Sequence, residues 1–448
     1  MARLALALTA AAALLAAAAC AGQPTAPAAR VPSAVTATAA PVDQPAAPKA
    51  VESVPTPTAS PAGKPVATAA VTPLAATPTP VAARVTPAVA GAPPPGPTAA
   101  AAPTRPADTT ASGAPKTTGA PTVKVEVVLR GLDTPWAIDF APDGRWFVTE
   151  RPGRVRVVEN GQLQPEPWMS FEVWEREDSE AGLLGIALDP KFAENRFVYL
   201  AYTYPAGGRL QNRLVRLRED PGTKRGVEDR VLFDGVLGNQ NHDGGRVKFG
   251  PDGKLYATMG DAAEAAHAQQ RESLSGKILR INPDGSVPGD NPFPGSPVYS
   301  LGHRNPQGLA WDARGRLIEA EHGSSARDEI NHVEPGRNYG WPEVRGQAGD
   351  RRFVDPIIES KEDTWAPSGI AILGGDLFVA ALRGQRLLRM TLAPDLGGPT
   401  RVETVLRGYG RLRDVVVGPD RALYVTTSNR DGRGSPAADD DRILRVQP

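Results

Sequence analysis

The 448-residue chain has few of the residues that build disulfide bonds and metal centres: it contains one cysteine, Cys20, and five histidines. Without a second cysteine, this sequence can form neither an internal disulfide bond nor a thiolate metal site. No two histidines have the close spacing of a zinc-binding pair. Helical periodicity is also nearly absent, with Ala262 to Arg271 as the one candidate helical stretch.

The chain has no excess of either charge, since 50 Lys and Arg residues balance 50 Asp and Glu residues. Residues 1–122 are slightly basic, so the remainder of the chain is mildly acidic. A nucleic-acid partner calls for a clustered basic surface, and we therefore expect no such partner.

A charged start and the apolar run from Leu4 to Ala19, too short to span a bilayer securely, predict a signal peptide over residues 1–20. Cys20 follows Ala17-Ala18-Ala19, which resembles the lipobox of bacterial lipoproteins, with Ala17 where that motif usually has Leu. We expect an exported protein, periplasmic or at the cell surface, whose membrane contact is a lipid anchor on Cys20. The alternative is cleavage after Ala19 and release of a soluble protein.

Residues 21–122 contain no aromatic residue and consist almost entirely of Ala, Pro, Thr, Val, Gly and Ser. Such a composition cannot bury enough apolar surface to offset the entropy of ordering, which predicts a disordered linker.

From Val123 to Pro448 an apolar strand repeatedly leads into an Asp/Gly turn and out through a second strand. Six such turns lie near residues 143, 190, 252, 314, 375 and 420. Each turn alone could be an ordinary hairpin, but a repeat of roughly 45 to 60 residues suits one four-stranded blade. The sequence therefore predicts an all-β, six-bladed β-propeller domain over residues 123–448, with a central channel as the ligand site.

Candidate site residues lie in loops between these strands. The segment from Leu301 to Leu309 combines cationic, amide and turn-forming residues between apolar runs, as ligand-binding loops do. His242 lies in a polar, glycine-rich loop, where it could be a solvated residue or a general base. Arg411 and Arg413 alternate along a strand and could converge on an anion, or form ion pairs at an edge. Glu321 to Glu329 offers the hard oxygen ligands that calcium prefers.

Together these residues resemble the soluble quinoprotein glucose dehydrogenase and aldose sugar dehydrogenase family, six-bladed propellers that use pyrroloquinoline quinone (PQQ) and calcium. The resemblance covers essentially all of Leu132 to Val446. Its motifs are Glu180 to Gly185, Asn241 to Arg246, Leu301 to Leu309, Glu321 to Asn331, Asn338 to Pro342, Trp365 to Gly369, and Gly410 to Asp414.

The resemblance implies an enzyme that oxidises aldoses to lactones by hydride transfer to the quinone. His242 matches the general base that takes the proton of the anomeric hydroxyl. Arg304, Asn305 and Gln307 match cofactor-contacting positions, with Arg304 placed to stabilise charge on the quinone oxygen.

The resemblance also implies ligands for both cofactors. Arg411 and Arg413, helped by Arg383, match the cations that hold the carboxylates of PQQ. Gly323 and Ser324 match the two backbone carbonyls that hold the calcium ion.

Four departures from the family pattern lie at or near these positions. Glu180, at a cofactor-binding position, stands where glucose-oxidising relatives have glutamine. Arg383 replaces a usual lysine, Ser324 a common proline, and Pro367-Ser368 a threonine that can contact the cofactor.

The implied partners are a sugar substrate and an electron acceptor, such as the quinone pool, a cytochrome or a dye. Two other functions would fit the same fold: a calcium-dependent lactonase, and a non-catalytic recognition propeller tethered at the cell surface.

Overall fold

The structure of the protein is a computed structural model that describes residues 123–448. The predicted signal peptide, the Cys20 anchor and the linker at residues 21–122 lie outside the described residues. Within the described part of the chain, no helix is both long and apolar enough to cross a membrane.

Six antiparallel sheets form the blades of a propeller, which confirms the predicted fold class. The first strand of the described chain is β1 (Lys124–Leu129), and it belongs to the last blade. Blade 1 contains β2 (Pro135–Phe140), β3 (Trp146–Glu150), β4 (Arg154–Glu159), β5 (Gln162–Leu163) and β6 (Met169–Ser170). Blade 2 contains β7 (Leu183–Leu188), β8 (Phe197–Ala206), β9 (Arg209–Glu219) and β10 (Gly226–Leu237). Blade 3 contains β11 (Val247–Phe249), β12 (Leu255–Met259), β13 (Lys277–Ile281) and β14 (Val298–Leu301).

Blade 4 contains β15 (Pro306–Trp311), β16 (Leu317–Glu321), β17 (Glu329–Val333) and β18 (Ile358–Glu359). Blade 5 contains β19 (Pro367–Leu373), β20 (Asp376–Ala381), β21 (Arg386–Leu392) and β22 (Pro399–Arg407). Blade 6 contains β23 (Leu412–Val417), β24 (Leu423–Thr427) and β25 (Ile443–Gln447), and β1 pairs antiparallel with β25 to close the ring. Helical structure in residues 123–448 is limited to α1 (Phe192–Asn195) and a 3-10 helix (Ala265–Gln269).

The repeated Asp turns join the first two strands of a blade, and the aspartate explains why they form. In blade 1, Asp143 Oδ1 accepts a hydrogen bond from the backbone N–H of Arg145 at 3.2 Å, and Asp252 does the same with Lys254 at 3.0 Å. Such side-chain bonds two residues along the chain favour a turn. All six turns therefore lie at one end of the propeller.

The first strand of each blade lines the central hub, where two arginines enclose an aromatic ring. Trp136 is 1% exposed, and its ring lies 4.3 Å from the Arg246 guanidinium carbon and 5.7 Å from that of Arg413. Arg246 also forms a buried ion pair with Asp414 at 3.0 Å. Neighbouring hub strands approach so closely that a Cβ on Gly185 would lie 2.2 Å from the carbonyl oxygen of Gly245. The middle of the hub is thus filled by packed side chains, and loops lie at each end.

Candidate active site

A cavity of about 460 Å³ opens at the end of the hub opposite the Asp turns, and we call it the hub cavity. Its walls come from the start of strand β23 and from loops that precede the first strand of a blade or follow the second strand. They are Glu180, His242, Arg304, His322, Gly323, Ser324, Ser325, Asp328, Thr364, Ala366, Leu382, Arg383, Arg411, Arg413 and Arg433. A larger cavity of about 620 Å³ at the turn end contains Asp139 and Lys248 but none of the predicted site residues.

His242 faces the hub cavity with its ring held by a buried carboxylate. Its Nδ1 lies 2.8 Å from Asp261 Oδ1, and Asp261 is 1% exposed. Asp261 Oδ2 accepts a hydrogen bond from Trp341 Nε1 at 2.7 Å, so the carboxylate is fixed on both sides. Because an ionised carboxylate can only accept a hydrogen bond, the proton of the neutral imidazole lies on Nδ1. The lone pair of Nε2 is then free for a ligand.

The backbone of His242 has a left-handed conformation, with a φ of 66°. Its N–H donates to Glu180 Oε2 at 3.2 Å, and its carbonyl accepts from Ala262 N at 3.1 Å. A Cβ on Gly260 would lie 1.9 Å from this carbonyl oxygen. The strand β12 and its following loop therefore fix the position of the histidine.

Arg304 also lines the hub cavity. Its Nη1 donates to the carbonyl oxygens of Gly323 at 2.7 Å and His322 at 3.2 Å. The guanidinium carbon lies 5.3 Å from the Trp341 ring, and the buried Nε has no partner within residues 123–448. The backbone N–H of Arg304 donates to Glu321 Oε2 at 2.6 Å. One carbonyl predicted to bind calcium, that of Gly323, thus already accepts a hydrogen bond.

Arg411 and Arg413 converge at the cavity floor, as the strand alternation predicts. Arg411 Nε pairs with Asp431 Oδ2 at 2.8 Å, and Arg413 Nη2 lies 3.8 Å from the same oxygen. Arg413 Nη1 donates to Gln307 Oε1 at 2.9 Å, while its buried Nε has no partner in the described chain. Burial lowers the pKa of Arg413 to about 9, so the group still carries its charge at neutral pH. One carboxylate is therefore shared by two cations.

His322 also lines the cavity and supplies an unpaired ring nitrogen. Burial lowers the pKa of His322 to about 4, against the opposing charges of Glu180 and Asp328, so the ring is neutral at pH 7. Its Nε2 is buried and has no partner among the described residues.

Two predicted cofactor contacts lie beneath the cavity and do not form its walls. Asn305 is fully buried and donates to Glu180 Oε2 at 2.9 Å, while its oxygen accepts from Gly244 N at 3.1 Å. Gln307 is 2% exposed; its side-chain oxygen accepts a hydrogen bond from Arg413 and its backbone carbonyl accepts one from Arg246. Their direct contact with a cofactor stays a prediction.

The other predicted residues lie at the cavity rim. Arg383 is exposed and makes no hydrogen bond or ion pair with residues 123–448. Gly323 and Ser324 belong to a loop held by Asp328, whose carboxylate accepts from the backbone N–H groups of Gly323, Trp365 and Ala366. The assignment of Gly323 and Ser324 as calcium ligands stays a prediction.

Sequence reasoning missed Asp261, Asp431 and Arg433. Asp261 follows the buried strand β12 and Asp431 follows β24, so each has the signal of a polar residue just beyond a strand. Arg433 gives no local signal, because it lies in a loop far along the chain from the residues that it contacts.

The hub cavity suits an anionic ligand with several acceptor groups. Arg304 and Arg413 each have a buried N–H without a partner in the described structure, and such donors are costly unless a ligand satisfies them. Arg383 adds a cation without a partner in residues 123–448, and His242 adds a base in the same cavity. The arrangement can bind a polycarboxylate and remove a proton from a second ligand.

The sequence model of the Glucose / Sorbosone dehydrogenase family matches residues 132–444. A Thermus thermophilus protein described as an oxidoreductase (glucose dehydrogenase) is 48% identical, with a TM-score of 0.69 over 73% of this chain and 100% of that chain. The PQQ-bound aldose sugar dehydrogenase of Streptomyces coelicolor is 40% identical, with a TM-score of 0.67 over 73% and 99% of the two chains. The aldose sugar dehydrogenase of Escherichia coli is 32% identical over 73% of this chain and 93% of its own length. The chain thus belongs to the Glucose / Sorbosone dehydrogenase family, and its homologues include proteins named aldose sugar dehydrogenase and quinoprotein glucose dehydrogenase.

Proposed function

We propose that this protein oxidises aldoses at the anomeric carbon to lactones, with PQQ as the electron acceptor in the site. The observation that carries the proposal is the pairing, in one cavity, of a carboxylate-held imidazole with a group of arginines that have unsatisfied donors. The PQQ-bound relative from Streptomyces coelicolor supports the choice of cofactor.

The residues present fit this cofactor. Arg411, Arg413 and Arg383 would hold its carboxylates, since guanidinium groups bind carboxylates in a bidentate manner. Arg304 would stabilise negative charge on a quinone oxygen, and the carbonyls of Gly323 and Ser324 would hold a calcium ion. When bound, PQQ supplies an electrophilic carbon that accepts a hydride.

His242 acts on the sugar as the general base. Asp261 accepts from Nδ1–H, so Nε2 is the basic nitrogen and takes the proton of the anomeric hydroxyl. Loss of this proton and of the C1 hydride converts the hemiacetal into a lactone. Asp261 also stabilises the imidazolium that forms.

We also propose that the enzyme is exported and anchored through Cys20, in the periplasm or at the cell surface. The apolar run at residues 4–19 and the position of Cys20 support this location. Electrons would then pass to an acceptor in the membrane or in solution.

The two alternatives have less support. A calcium lactonase needs a cage of carboxylates, whereas Glu180 and Asp328 in the hub cavity are engaged by donors of the protein itself. A recognition propeller would have no use for the His242–Asp261 pair.

The test is dye reduction by the full-length protein supplied with PQQ and calcium, across a panel of aldoses. We expect sugar-dependent reduction by the wild type, and a loss of at least about 10²-fold in kcat for His242→Ala with PQQ binding retained. His267→Ala is the matched control, since within residues 123–448 the side chain of His267 forms a hydrogen bond with Glu264 alone. Lactone hydrolysis without PQQ, or no reduction with any aldose, would contradict the proposal.

A further inference from the structure

We propose that Arg433 is a positioning residue whose ion pair with Glu180 neutralises this carboxylate beside the cofactor and holds the His242 loop. The inference rests on the proposed function. It assigns a role to a residue outside the family motifs and explains how the chain accommodates glutamate where relatives have glutamine.

Glu180 lies at the edge of the hub cavity and both of its oxygens are engaged. Oε2 accepts from His242 N at 3.2 Å and from Asn305 Nδ2 at 2.9 Å. Oε1 accepts from Arg433 Nη1 at 2.9 Å. Burial would raise the pKa of Glu180, but the charge of His322, which is protonated only at acid pH, and the permanent charge of Arg433 outweigh burial and hold this pKa well below its usual range. The carboxylate is therefore ionised and serves as an acceptor for the backbone of the histidine loop.

Arg433 joins three segments that are far apart in the sequence. Its Nη2 donates to the carbonyl of Asp178 at 2.8 Å and to Asn241 Oδ1 at 2.7 Å, next to His242. Its backbone N–H donates to Asp431 Oδ1 at 3.0 Å, the carboxylate that also holds Arg411. The arginine thus connects the histidine loop with the cation group at the cavity floor.

The approach of the two loops depends on glycine. Gly432 has a φ of 80°, and a Cβ there would lie 1.9 Å from the carbonyl oxygen of Glu177. The loop that carries Arg433 therefore packs directly on the loop that leads to Glu180. The ion pair is 12% exposed on the Glu180 side and 35% exposed on the Arg433 side.

The pair has an electrostatic consequence for the cofactor. A lone carboxylate at Glu180 would repel the carboxylates of PQQ, whereas the neutral pair does not. Removal of Arg433 alone should therefore weaken PQQ binding more than removal of both charges does. This order of effects separates electrostatic compensation from simple packing.

The experiment is a double-mutant cycle with Arg433→Met, Glu180→Gln and the double variant. PQQ affinity is measured by quenching of tryptophan fluorescence, the thermal midpoint is measured without PQQ, and kcat and KM by dye reduction. We expect Arg433→Met to weaken PQQ binding by about tenfold, and the double variant to return to within about threefold of wild type. Arg352→Met removes an exposed arginine paired with Asp350 and Glu343, and should leave PQQ affinity, the thermal midpoint, kcat and KM unchanged.

Kinetics distinguish positioning from cofactor affinity. At saturating PQQ, Glu180→Ala should lower kcat by about tenfold because His242 N–H loses its acceptor, while Glu180→Gln keeps an acceptor oxygen and most of kcat. Equal losses in the two variants would overturn the positioning role.

Additive effects of the two substitutions on PQQ affinity would overturn the compensation. If the wild type itself fails to bind PQQ, the proposed function fails, and the thermal midpoints test only whether the ion pair stabilises the fold. Non-additive changes in midpoint for the two substitutions would then support a stabilising pair, and additive changes would refute it.

Discussion

Asp261→Asn is the substitution that most sharply tests the chemistry of the site. Asp261 lies outside the walls of the hub cavity, and its carboxylate contacts His242, Trp341 and the backbone N–H of Ala263, so His242 is the one reacting group that it touches. Asparagine has the same shape, but it carries no charge and presents one N–H₂ group in place of an oxygen. If that group faces the imidazole, it donates to Nδ1 and leaves the proton on Nε2, which then cannot accept one.

The expected loss follows from two contributions. Asparagine removes the charge that stabilises the imidazolium, and in one amide orientation it also imposes the wrong tautomer. A general base contributes about 10²–10⁴-fold, so we expect kcat to fall by about 10²–10³-fold, or about 3–4 kcal/mol in the barrier. The loss cannot exceed that of His242→Ala, because Asp261 acts through this imidazole.

The assay is dye reduction at saturating PQQ and calcium, with PQQ affinity measured separately. KM and PQQ affinity should change by less than about threefold, since Asp261 does not line the cavity. His267→Ala again controls for the loss of an exposed histidine pair. A variant that keeps more than half of kcat would refute the role of Asp261, as would a loss confined to PQQ affinity.

Three further predictions concern stability, loop position and binding. Burial raises the pKa of Asp243 to about 7, so the folded protein holds a proton that the unfolded chain releases near pH 4, and this stabilisation is lost as the pH rises through 7. In thermal unfolding, the free energy of unfolding of Asp243→Asn should equal that of the wild type at pH 4 and exceed it by up to about 4 kcal/mol at pH 8. The same difference at both pH values would contradict this prediction. Gly260→Ala should displace His242 and lower both kcat and the thermal midpoint, because its Cβ would lie 1.9 Å from the His242 carbonyl oxygen; wild-type values would contradict the close approach. Arg413→Met should weaken PQQ binding by about 10–100-fold in a fluorescence titration, and unchanged affinity would contradict its role as a cofactor ligand.

The fold could be predicted because its signal is local. Asp143, Asp252 and Asp420 each bond the backbone two residues ahead, and the turn of blade 5 is the glycine pair Gly374-Gly375, so these turns are encoded within a few residues. The candidate helix from Ala262 to Arg271 gave only the 3-10 helix Ala265–Gln269. Ala262 and Ala263 have φ values of 52° and 60°, which a right-handed helix cannot include.

The site could be predicted only in part, because its contacts are long-range. His242, Arg304 and Arg413 belong to motifs that the sequence singled out, and they line one cavity. The pairing of Arg433 with Glu180 joins residues 253 positions apart and depends on how blade 6 closes the ring. No local pattern encodes such a contact.

The central claim is that the hub cavity binds PQQ and presents a sugar to His242. The most direct measurement is the absorption spectrum of the full-length protein mixed with PQQ and calcium, recorded before and after addition of glucose and then of other aldoses. The account predicts a spectrum that differs from that of free PQQ and changes to a reduced form when a sugar is added. A spectrum identical to free PQQ, or one that no aldose changes, would contradict it.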